Sequence, residues 1–186
     1  TFNSDSLQTY ALSAAFLIIA FINPLLSSIA DYSGRKKRFM YFFCTLGSLA
    51  CASLYFFDSI EVLWIGILGS VFAAIGYAGS IVFYNAYLPE IAEPQDQDRV
   101  SAKGFALGYI GSSLLLIFSL SMVLFPDVYG GIEKGTAIRL AFLLVGVWWF
   151  GFAQITFYRL PDNVYGRPSS GHYLFNGYQE LRKVWN

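Results

Sequence analysis

Five long runs without a single charged side chain set the terms for this chain. They cover residues 6–30, 39–57, 62–84, 104–126 and 140–158, and the third stays uncharged as far as residue 89. The shortest holds 19 residues, which as a helix reach about 28 Å, close to the thickness of a bilayer's hydrocarbon core. Backbone amides and carbonyls find no water there, so such runs must be helices that satisfy their own hydrogen bonds. Barrel strands are excluded, because they are short and alternate apolar with polar residues. Composition agrees. Only 13% of the 186 residues are charged and 56% are apolar, against about 25% charge in a soluble domain. The sequence therefore predicts an all-α integral membrane protein: a bundle over residues 1–160 and a polar tail over 161–186.

Charge placement predicts the orientation. Arg35, Lys36, Lys37, Arg38, Arg99, Lys103, Arg159, Arg167, Arg182 and Lys183 fall on one side of the five spans, and only Lys134 and Arg139 on the other. Lys and Arg gather on the cytoplasmic side, so the chain should begin outside and its tail should lie inside. In the tail, Leu174, Tyr178, Leu181 and Trp185 recur at helical spacing. That stripe fits an amphipathic helix on the inner surface, or the start of a further segment.

Other chemistries find little support. The net charge is zero, which gives no case for nucleic acid. Cys44, Cys51 and the single His172 make no metal-binding pattern, and no cofactor is implied. Glu90, Asp96 and Asp98 have no His or Cys partner nearby in sequence, so an enzyme is not expected. Ionisable groups inside a span would be the default functional candidates. With none present, the polar groups along a substrate path reduce to Asn23, Tyr77, Tyr84, Asn85 and Gln154, for each of which an interhelical hydrogen bond is the more common role. Asn23 precedes Pro24, whose missing donor frees a carbonyl that Asn23 could satisfy. Gly66, Gly69 and Gly76 form one small-residue face, and Gly104, Gly108 and Gly111 another. Such faces let helix backbones approach closely in lipid, as static packing or as a sliding contact.

The segment 27–38 reads Ser-Ser-Ile-Ala-Asp-Tyr-Ser-Gly-Arg-Lys-Lys-Arg. Gly34 suits a tight turn and the bases suit cytoplasmic anchoring. Asp31 is different, because an acid is unfavourable at the negative end of a helix and so implies a partner. This stretch resembles the signature loop of the major facilitator superfamily, with Asp31, Gly34, Arg35 and Lys36 on motif positions and Ser27 where the family usually has Gly. Residues 84–91, Tyr-Asn-Ala-Tyr-Leu-Pro-Glu-Ile, and 98–111, from Asp98 to Gly111, are similar to the branch that contains the autophagy-associated vacuolar amino-acid effluxers and their bacterial relatives.

The resemblance implies that the five spans are helices two to six of a twelve-helix transporter. A first helix would precede Thr1 and a six-helix second half would follow Asn186, with the tail as the cytoplasmic linker. It implies transport of small polar solutes, amino acids or peptides among them, by alternating access, in a multi-pass protein of a bacterial inner membrane. Asp31, Gly34, Arg35 and Lys36 would form a cytoplasmic latch. Glu90, Arg99 and Lys103 would join its gating network or serve as surface anchors. Span three carries no embedded Arg and span four no Gly-Pro pattern, which argues against proton antiport. The competing expectation is a truncated, non-transporting membrane protein or a helical scaffold for a partner.

Overall fold

The computed structural model describes residues 4–32 and 35–162. Six α-helices follow one another: α1 (Ser4–Tyr32), α2 (Lys36–Ser53), α3 (Leu63–Asn85), α4 (Leu88–Ile91), α5 (Gln97–Leu124) and α6 (Lys134–Arg159). Five segments are long and apolar enough to cross a membrane, and the third of them, Ile60–Ile91, takes in the one-turn α4 as well as α3. The tail from residue 163 onward, with its proposed amphipathic helix, lies outside the described residues.

The helices overrun the uncharged stretches where water takes over. α5 starts at Gln97 rather than residue 104, and α6 at Lys134 rather than residue 140. Hydropathy marks the hydrocarbon slab, not the helix, and nothing stops a helix in water when its residues favour it. In the added turns of α5, Asp98 sits in the first turn, where a negative charge offsets the helix dipole. α2 ends early, at Ser53, and a 3-10 turn over Leu54–Phe56 leads into the short connection to α3. α1 runs through Pro24. Between α5 and α6 the chain reverses at Gly130 and Gly131, with φ of 77° and 75°, a region open to glycine without strain.

The neighbours run in the order α1, α3, α2, α6, α5. Glycine sets the closest seam. A Cβ at Gly76 of α3 would run into the backbone of Gly47 of α2, and one at Gly69 would sit 3.3 Å from the Ala50 carbonyl oxygen. Gly66 packs under the Phe57 ring. Two positions on the facing helices complete the pattern. Gly47 also receives the Trp149 ring of α6, and a Cβ at Gly146 would fall 2.5 Å from the Ser48 carbonyl oxygen. The α5 glycines differ: a Cβ at Gly108 meets nothing within 4 Å, and one at Gly111 only the Trp148 Nε1 at 3.8 Å.

The core lies towards the end where α2 begins. Met40, Cys44, Phe83, Tyr87 and Phe157 form it, with Phe39, Phe43 and Trp149 packed around them. Phe39 and Phe43 stack on Phe83 at 5.3 and 5.9 Å between ring centroids. Leu107, Leu114, Leu116 and Ile117 of α5 stand exposed. An apolar surface of that kind is untenable in water and natural in lipid.

Candidate functional site at the basic end

Three helix termini meet where α2 begins and α3 and α6 end. Each would be awkward alone. α2 opens with Lys36-Lys37-Arg38, so cations stand at its positive end, while α3 and α6 finish with free carbonyls at their negative ends. The two lysines resolve both problems by crossing to the neighbouring helices. Lys36 Nζ donates to Glu90 Oε1 at 2.7 Å and to the carbonyl of Ala86, the residue that closes α3, at 3.0 Å. Lys37 Nζ donates to the carbonyl of Leu160, which closes α6, at 2.9 Å, and pairs with Asp162 at 3.0 Å. Adjacent residues on a helix diverge by about 100°, so the pair reaches α3 on one side and α6 on the other.

Burial separates the two interactions. Lys36 is 8% exposed and the Glu90 side chain 7%. A charge so placed is tolerated only with a partner. Asp162 is 88% exposed, so its pairing with Lys37 is screened and weak. A third tie comes from Tyr87, fully buried, whose hydroxyl donates to the Pro161 carbonyl at 3.2 Å. Together these bonds fasten the starts and ends of α2, α3 and α6 into one block.

The residues of the signature loop are placed as follows. Asp31 lies in the last turn of α1, and Gly34 falls outside the described residues. Arg35 is the exposed N-cap of α2, its carbonyl accepting from the amides of Arg38 and Phe39. Lys36 pairs with Glu90. Arg99, exposed, bonds the partly exposed Asp96 one turn back at 3.0 Å, and Lys103 is exposed on α5. Sequence reasoning missed Lys37 and Tyr87, because a run of four bases carries no phase to show which of them turn inward.

The polar groups of the spans are dispersed. Gln154 donates within α6 to the Phe150 carbonyl at 3.0 Å. Asn23 Oδ1 is buried without a partner among the described residues. Asn85 is exposed at the end of α3. Tyr77 meets Trp149 edge-on at 6.5 Å, and Tyr84 reaches Gly104 of α5. Among the described residues no three His, Cys, Asp or Glu side chains gather as metal ligands. At the far end Arg139 lies 3.7 Å from Asp58 and 6.0 Å above the Tyr55 ring.

A family model described as vacuole effluxer Atg22 like matches residues 1–97 and 91–186, the whole chain between them. The chain belongs to this Atg22-like family. Among its relatives is an uncharacterized MFS-type transporter, YxiO, of Bacillus subtilis, 32% identical over 173 residues, covering 92% of this chain and 40% of that protein. Autophagy-related protein 22-1 of Aspergillus terreus is 38% identical over 84 residues, 42% of this chain and 13% of its own length. An uncharacterized protein of Aquifex aeolicus is 28% identical over 141 residues, 74% of this chain and 32% of its own. The chain thus spans less than half the length of these relatives. No solved structure matches it. This Atg22-like chain is a multi-pass membrane protein.

Proposed function

We propose that this chain forms helices two to six of a twelve-helix secondary active transporter, which carries small polar solutes such as amino acids or peptides by alternating access. The rest of the protein supplies the first helix and the second six-helix half. The basic end faces the cytoplasm of a bacterial inner membrane. The observation that carries the reading is the block of helix ends built by Lys36, Glu90, Lys37 and Tyr87 beside the signature loop. Alternating access needs two bundles that rock as units about a central site, and a bundle whose ends are fastened to one another moves as a unit.

In this reading Asp31 and Arg35 form the latch that holds the cytoplasmic side shut, and Asp31 finds its partner at a helix start in the other half. A latch of a few kcal/mol suffices to bias two states. Asp31→Asn in the full-length protein should lower solute uptake in membrane vesicles while expression stays normal. Wild-type uptake in that variant would refute the latch. A screen of amino acids and peptides, with and without a pH gradient, would identify the solute and any proton coupling.

A further inference from the structure

The block at the basic end is held by ties of two grades. Lys36 joins α2 to the end of α3 through Glu90 at 2.7 Å and the Ala86 carbonyl at 3.0 Å, and both charged side chains are at or below 10% exposure. The ties on residues 160–162 are of another kind. The Lys37 ammonium belongs to a side chain 24% exposed, and its partner, the Asp162 carboxylate, to one 88% exposed. The Tyr87 hydroxyl reaches the Pro161 carbonyl only at 3.2 Å, beyond the usual range for a hydroxyl donor. The bond from Lys37 to the Leu160 carbonyl, at 2.9 Å, has ordinary length.

The seat of α6 does not depend on these three residues. Phe157 sits in the core, Trp149 fills the notch at Gly47, and Gly146 lies on the Ser48 carbonyl. Tyr87 also keeps its place without them, because its ring is 1% exposed among core side chains. Leu160 is already extended, with ψ of 138°, as a residue before proline prefers, so no helical turn has to be undone. Three consecutive residues are thus held down by contacts that part without unpacking anything. We propose that residues 160–162 are a releasable strap. Lys37 and Tyr87 hold down the point where the tail leaves the bundle, and loss of charge attraction at Lys37 lets it go while Lys36 and Glu90 stay joined. Resting on the transporter reading above, the strap lets the linker between the two halves swing free of a bundle that remains whole.

The test uses the full-length protein purified in detergent. Trypsin cutting after the exposed Arg159 measures the freed strap, because cleavage follows the open population when opening and closing are fast. Salt screens the exposed pair and largely spares the buried one. Raising salt from about 0.05 M to about 0.5 M should speed this cut about threefold relative to a soluble peptide substrate, equivalent to about 0.65 kcal/mol. The melting midpoint should hold, because the Lys36–Glu90 pair is buried. Asp162→Asn and Lys37→Met should be cut fast at both salt levels and lose the threefold ratio. Tyr87→Phe should be cut faster at both and keep the ratio, since its tie carries no charge. A ratio of one in the wild type, a ratio that survives Asp162→Asn, or a midpoint that falls in step with release would each overturn the strap. Neither readout needs a transported solute. Failure of the uptake screen would therefore sink the transporter reading and leave the strap standing.

Discussion

Replacing Lys36 by Met strips Glu90 of its cation. The pair sits at 2.7 Å with both side chains at or below 10% exposure, so the remaining carboxylate can neither rehydrate nor find another partner at that distance among the described residues. Breaking a buried pair by removing one member costs about 3–5 kcal/mol. The Ala86 carbonyl loses its donor too, which adds about 1 kcal/mol. For a chain of this size each kcal/mol moves the melting midpoint by roughly 2–4 °C, so Lys36→Met should melt on the order of 10 °C lower. The assay is intrinsic tryptophan fluorescence of purified protein in detergent during a thermal ramp. The double variant Lys36→Met with Glu90→Leu separates charge from shape. Replacing both members of a buried pair by apolar groups is often neutral, so the double variant should recover most of the loss. A single variant that melts with the wild type, or a double variant no better than the single, would refute the account of Glu90 as a buried charge held by Lys36.

Other perturbations follow from the same contacts. Gly76→Ala drives a methyl into the Gly47 backbone and should cost about 1–3 kcal/mol or more. Gly108→Ala meets open space and should be neutral or raise the midpoint, since alanine favours a helix over glycine by about 1 kcal/mol; the same thermal ramp compares the two. Lys37→Met frees the ties on Leu160 and Asp162 and Tyr87→Phe the one on Pro161, and trypsin should cut after Arg159 faster in both, fastest in the double variant. Arg139→Ala should change the midpoint little, because a 3.7 Å contact with an exposed Asp58 is worth less than about 1 kcal/mol.

Much of the architecture was legible because lipid leaves few choices. Five uncharged runs had to be five helices, and the glycine face of α3 had to meet another backbone. What stayed hidden depended on the partner. Gly146 has no small residue three or four positions away on its own helix, and the small residues that flank Gly47 at helical spacing, Cys44, Ala50 and Cys51, do not say which helix they face; both glycines matter because Gly76 and the Ser48 carbonyl lie opposite. The helix ends were misplaced where hydropathy falls silent, at Gln97 and Lys134. The one-turn α4 carries no signal of its own, since four residues with Pro89 among them give no helical period. At the basic end, the resemblance singled out Lys36 while its bond to Glu90 spans 54 positions of sequence. A pairing over that separation has no local signature.

The two lysines at the start of α2 also bear on how the protein is made. On the proposed orientation, the insertion machinery weighs Lys36 and Lys37 as free positive charges while the chain is still threading, and only later do α3 and α6 arrive to claim them. One pair of residues therefore serves first as an address and then as a rivet. Charge swaps meant to invert the protein in the bilayer would also unfasten it, so sidedness and cohesion cannot be altered one at a time.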